Sequence, residues 1–86
     1  MFKYQISASR EQTPVWMRLG STVRAVGVQT SRVISIWAEV PDDLDRPEVM
    51  RTFQVVPTGG DVPTVGIYIG TVLDGLLVWH IYEVVL

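Results

Sequence analysis

Apolar and polar residues alternate along this chain in short runs separated by turn signals, and no window keeps a helical period for long. Phe2 to Ser7 reads as a first strand, with Phe2, Tyr4 and Ile6 or their intervening residues turned inward. Ser9 to Thr13 is polar and loop-like. After Pro14 a short strand runs from Val15 to Leu19, with Val15, Met17 and Leu19 on one face and Trp16 and Arg18 on the other; Gly20-Ser21 ends it.

Val23 to Thr30 and Val33 to Val40 form the next expected hairpin. Closing it at Ser31-Arg32 sets Gln29 opposite Ile34, Gly27 opposite Ile36, Val26 opposite Trp37 and Arg24 opposite Glu39. The Arg24–Glu39 pair adds roughly 0.2–1 kcal/mol to that register. Ser-Arg is poor chemistry for a two-residue primed turn, so a four-residue loop about the same centre is preferred.

Pro41 to Glu48 is a polar excursion bracketed by prolines, and Val49 to Val56 follows as a strand. Pro57 to Pro63 is a second loop, where Gly59 and Gly60 permit positive φ. A terminal hairpin then runs from about Val65 to the end, turned by Asp74-Gly75 as a type I′ turn. That turn pairs Leu73 with Leu76, Thr71 with Val78, Ile69 with His80 and Ile67 with Tyr82. On the other face it pairs Val72 with Leu77, Gly70 with Trp79, Tyr68 with Ile81 and Gly66 with Glu83, leaving the Trp79 indole over the bare Gly70 backbone. Both faces of this hairpin are apolar, whereas a sheet wetted on one side should alternate. Something has to cover the second face.

The pattern predicts an all-β antiparallel fold of six to seven strands, a small sandwich or partly open barrel ending in the Asp74-Gly75 hairpin. At 86 residues it is one domain, residues 1–86, near the size at which a single core gives only modest stability. There is no cysteine, which removes disulfide frameworks, thiolate metal sites and cysteine nucleophiles together. Such a chain relies on efficient packing or on self-association.

Charge narrows the field further. A formal net charge of -2, with six Arg and one Lys scattered and no run, argues against nucleic acid as a partner. The apolar stretches are far shorter than the ~20 residues of a membrane-spanning helix, and the N-terminal segment lacks a signal-peptide core. A cytoplasmic protein without a membrane segment is the expectation.

Candidate chemistry is sparse. His80 is the single histidine, so histidine-cluster metal sites are excluded, and no nucleophile elbow accompanies it. A hydrogen-bonded structural role fits His80 better than catalysis. Asp42, Asp43, Asp45 and Glu48 crowd one loop, but the oxygen ladder and central glycine of a calcium loop are missing, so a solvated acidic loop is expected. Thr58-Gly59-Gly60-Asp61 offers backbone N–H groups, yet no Lys-Ser/Thr and no helix follow, which fails the phosphate-loop test. Neither a metal nor a cofactor is expected. Trp16, Trp37 and Trp79 are a large aromatic investment for this length: Trp79 reads as core, whereas Trp16 and Trp37 neighbour charged positions and suit a partner surface.

The segments Ile36-Trp37-Ala38-Glu39-Val40-Pro41, Arg51-Thr52-Phe53, Thr58-Gly59, Tyr68-Ile69-Gly70-Thr71 and Leu77-Val78-Trp79-His80-Ile81-Tyr82-Glu83 resemble a family of small uncharacterised proteins common in bacteriophage and prophage genomes. The likeness covers most of the chain and is strongest from Trp37 onward. It departs at Met17-Arg18-Leu19-Gly20, where relatives tend to carry a proline before the glycine, and at Gly60, where a histidine is usual. The resemblance implies a compact β fold, a phage-type origin and therefore a host-cell cytoplasmic setting. It transfers no catalytic residue.

Together these readings lead us to expect a non-enzymatic, phage-type β protein that binds a protein partner, an inhibitor of a host or defence factor being one such role, and that self-associates, a dimer being favoured. The candidate interface residues are Trp16, Trp37, Tyr68, Trp79, Ile81 and Val85. An alternative is a binder of a small nucleotide-like ligand, using Arg51, Thr58, Gly59, Gly60 and Asp61 with a tryptophan for stacking. A minor virion or assembly component is a third.

Overall fold

Seven antiparallel strands in two sheets account for the chain: β1 (Phe2–Ser7), β2 (Thr13–Arg18), β3 (Thr22–Thr30), β4 (Val33–Glu39), β5 (Glu48–Pro57), β6 (Gly66–Asp74) and β7 (Leu77–Val84). The computed structural model describes residues 1–9 and 11–85. Arg10 in the Ser9 to Thr13 loop and Leu86 at the end of the expected hairpin lie outside the described residues. One sheet has the order β1-β4-β3 and the other β2-β5-β7-β6. β3 packs along β6, and β1 approaches β2, but no ladder joins them, so the fold is a sandwich and not a closed barrel.

The core follows from which strands are central. β4 sits between β1 and β3, and its alternate residues Ile34, Ile36 and Ala38 point at the second sheet and are fully buried. They meet Phe53 and Val55 from β5, Ile81 from β7, Val72 from β6, and Val15 and Met17 from β2. The outer layer of β4 is also closed. Ser35 is fully buried there, and Trp37 Cζ3 lies 3.2 Å from where a Cβ on Gly27 would stand. The aromatic-over-glycine contact expected in the terminal hairpin is therefore made here, by Trp37 and Gly27.

Several registers differ from the sequence expectation, each for a local reason. The β3–β4 hairpin does close at Ser31-Arg32, with Thr30 opposite Val33, and Arg32 takes φ 63. The wider loop is not used, because the Arg32 N–H is held at 2.9 Å by the Asp74 carboxylate of the other sheet. A bulge between Val28 and Thr30 then slides the register by one, so Val28 faces Ile34, Gly27 faces Ser35, Val26 faces Ile36 and Ala25 faces Trp37. A second bulge between Val23 and Ala25 puts Thr22, not Arg24, opposite Glu39. The bulged Arg24 still reaches Glu39 at 2.9 Å.

In the terminal hairpin the turn is Gly75-Leu76, flanked by Asp74 and Leu77, not Asp74-Gly75. Gly75 has φ 61 and Leu76 keeps a negative φ, which is the pattern of a type II′ turn. The carboxylate of Asp74 is drawn instead into a cap, accepting from Arg32 N, Ser31 Oγ and Trp79 Nε1. In consequence Trp79 lies opposite Val72 and Gly70 opposite Ile81, so the Gly70–Trp79 pairing does not form. β2 stops at Arg18: Leu19 N donates to Pro47 O, Gly20 takes φ 90, and Leu19 is exposed rather than inward.

Candidate interaction surface

The register fixes which side chains share the outer face of the four-stranded sheet. Trp16 stands opposite Met50, and Pro14, Thr52, Val84 and Gly66 make a second row. Gln54, Tyr82 and Tyr68 make a third, and Val56, His80 and Thr71 a fourth. At one end the loop after β5 folds back onto this face: a Cβ on Gly60 would stand 3.1 Å from Val56 Cγ1, and Val56 is buried. Trp16 is 59% exposed and Met50 51% at the β2–β5 corner of this face, and Tyr68 is 55% and Leu73 74% exposed along its β6 edge. Exposed large apolar side chains of this kind mark contact sites.

A bulge places Tyr68 on this surface. The register shifts between Tyr68 and Gly70, so Tyr68 leaves the inner face that Gly70 and Val72 share and turns outward opposite Tyr82. The two rings pack edge-on, with centroids 5.6 Å apart and planes at 65°. The Tyr68 hydroxyl and Thr71 Oγ1 share a short hydrogen bond, and Thr71 Oγ1 lies 2.9 Å from His80 Nδ1. His80 Nε2 is 3.0 Å from Thr58 Oγ1. His80 is thus held at both ring nitrogens by threonine hydroxyls. Neither neighbour is a carboxylate, the group that orients the histidine of an acid/base triad.

The candidate interface residues divide. Trp16, Tyr68 and Val85 are on the surface, Val85 N extending the ladder by donating to Val65 O. Ile81 is fully buried in the core, and Trp79 packs against that core with its Nε1 on Asp74 at 3.2 Å. Both point away from the open face, because β7 alternates and its outward residues are Val78, His80, Tyr82 and Val84. Trp37 is half-buried over Gly27 on the other sheet. Met50 and Tyr82 belong to the surface but were not among the expected residues. The alternation of β5 and β7 contained them; what was missing was the non-local pairing of β2 with β5 that sets Met50 beside Trp16.

The residues proposed for a nucleotide-like ligand do not come together. Arg51 lies between the sheets, its Nε and Nη2 bound to Glu83 at 2.7 and 2.6 Å, with Nη1 donating to Ser21 O. The bond to Glu83 raises the Arg51 guanidinium above its ordinary pKa against the opposing effect of burial. It lines an opening of about 340 Å³ with Ile67 and Ile69. Gly60 and Asp61 border a different hollow of about 430 Å³, beside Gln54 and Pro57 at the far end of β5. Thr58 faces His80 instead, and Gly59 has nothing near it.

Among the described residues no group of His, Asp and Glu side chains is placed to hold a metal ion, and no helix is long and apolar enough to cross a membrane. In the acidic loop Asp43 Oδ1 accepts from Asp45 N and Asp43 Oδ2 lies 3.9 Å from Arg46 Nε, while Arg46 and Arg18 donate to the Leu19 and Pro41 carbonyls.

Residues 1–86 match a family described as a domain of unknown function, DUF7352. The chain belongs to the DUF7352 family. The match spans both sheets of the DUF7352 sandwich. No curated protein and no solved structure matches it.

Proposed function

We propose that this DUF7352 protein is a non-enzymatic binding protein of phage type, working in the host-cell cytoplasm, that docks a protein partner on the open face of its four-stranded sheet and also self-associates. One observation carries the reading: Trp16, Met50, Tyr68 and Leu73 are each more than half exposed on the outer face of the four-stranded sheet. Exposed tryptophan and tyrosine are the side chains that anchor protein interfaces. The phage-type origin rests on the sequence resemblance alone, and inhibition of a host or defence factor is the role that would suit a small binder of this kind.

The test compares what the tagged protein retains from a host extract with what its Trp16→Glu and Tyr68→Glu variants retain. Both positions are exposed, so the variants keep the core intact. The reading requires a protein held by the parent chain and released by both substitutions. Retention that ignores them would remove the open face from consideration. Light scattering at high micromolar concentration tests the second half of the reading; a monodisperse monomer would contradict self-association.

A further inference from the structure

Four strands form sheet edges: β1 and β3 in one sheet, β2 and β6 in the other. Natural sheets guard such edges with proline, lysine, bulges or a covering element, because an unguarded edge pairs with whatever strand it meets. β2 carries Pro14. β3 has two bulges and lies along β6. β6 has its own bulge beside Tyr68, and Gly70 is pressed against Val26 of β3. β1 has neither proline nor bulge and only approaches β2, and its one guard, Lys3, has its Nζ drawn back across the sheet to Gln29 Oε1 at 2.9 Å. Its six residues hold unbroken register with β4, from Phe2 opposite Ala38 to Ser7 opposite Val33, without proline or bulge. Among the described residues no backbone bond joins β1 to any strand but β4.

The molecule also has surface to spare. Its accessible area is 5588 Å², against about 5,100 Å² for a folded monomer of its 9.6 kDa.

We propose that β1 is a self-pairing edge: two copies join antiparallel about a two-fold axis through Tyr4, making one continuous six-stranded sheet. The inference rests on the self-association in the reading above, and it names the surface. Residues directly opposed across an antiparallel pair share a face. A two-fold centred on a residue therefore keeps both cores on one side, whereas one centred between residues would turn one core to the outside. Centring on Tyr4 sets Phe2, which is 54% exposed, opposite Ile6 of the partner subunit on the core side. On the solvent side Lys3 meets Gln5 of the partner subunit, with no like charges opposed. Centring on Lys3 would oppose the two lysines, and centring on Gln5 would leave Phe2 without a strand residue opposite it.

Position 5 reads this register directly. Gln5→Lys sets lysine against Lys3 of the partner subunit at two symmetric places, and Gln5→Glu sets glutamate there. Two cross-strand pairs change the dimer dissociation constant on the order of 2- to 30-fold, upward for Lys and downward for Glu. The double variant Lys3→Glu/Gln5→Lys, measured by sedimentation equilibrium beside the singles, should restore tight pairing. Both side chains are exposed, so folding is spared. A second measurement uses the absence of cysteine: Tyr4→Cys lies on the axis, and mild oxidation should give a covalent dimer and nothing larger. A dimer indifferent to charge at position 5 would overturn the β1 edge while leaving self-association standing. A monomer at high micromolar concentration would overturn both. A dimer that follows the charges and survives Trp16→Glu supports the edge separately from the open face.

Discussion

Val26 of β3 stands 2.6 Å, through its Cγ2, from the point where a Cβ on Gly70 of β6 would lie. No real Cβ tolerates that distance, so the glycine is what lets the edges of the two sheets approach. Val is stiff at χ1 and cannot swing clear. Gly70→Ala should therefore destabilise the fold by about 1–3 kcal/mol, the range for overpacking. Removing the obstacle should recover most of the loss: in a double-mutant cycle by urea unfolding, Val26→Ala/Gly70→Ala should lie well above the sum of the singles. Additive losses would mean that Gly70 serves some other purpose.

How much of this was legible in the sequence depends on range. The strands were visible because alternation is local, and the limits expected for the first strand are those of β1. The registers were not, since each of the bulges near Gln29 and Ile69 slides the ladder by one and has no strong sequence mark. The Asp74-Gly75 turn failed for a tertiary reason. Its aspartate is captured by Arg32, distant along the chain, which a local turn rule does not register. The open face was half legible. A hairpin greasy on both sides predicted an uncovered surface, yet Ile81 and Trp79 went to the wrong side of it because the face of each β7 residue depends on pairing with β5.

Ser35 sits fully buried in the outer layer of β4, and its hydroxyl has no hydrogen-bond partner among the described residues. An orphaned hydroxyl in such a place costs free energy that the alanine variant does not. Ser35→Ala should raise stability by about 1 kcal/mol. A thermal melt moved upward by a few degrees is the expected reading for a domain of this size. A lower melting point would mean that the hydroxyl has a partner after all.

Arg51 and Glu83 form a two-pronged pair between the sheets, with 22% and 18% of their side chains exposed. Breaking it from one side leaves a guanidinium without its carboxylate. Glu83→Gln should cost about 2 kcal/mol, the range for hydrogen bonds to a charged group and below the penalty for a wholly buried pair. Replacing both members by apolar residues of similar volume, Arg51→Met/Glu83→Leu, should cost less than either single loss. Chemical denaturation of the three variants decides it, and a double variant worse than both singles would count against this account.

The cap at Asp74 makes stability depend on acid in a definite direction. Its carboxylate is held below its ordinary pKa of 3.8, chiefly by the bond from Arg32 N–H and next by the one from Trp79 Nε1. A carboxyl group depressed in the folded state binds its proton more readily when unfolded. Its contribution is therefore complete above the unfolded value and is lost as pH falls through about 4 and below. Urea midpoints followed from pH 7 down to pH 2.5 should decline in that window. The Asp74→Asn variant should start lower at neutral pH and decline less steeply, because the amide keeps an acceptor but has no proton to gain. In a Trp16→Phe/Trp37→Phe background, Trp79 fluorescence supplies a local signal, since protonation weakens its bond to Asp74 before the core opens. Parallel acid profiles for parent and variant would mean that Asp74 joins the two turns by geometry and not by charge.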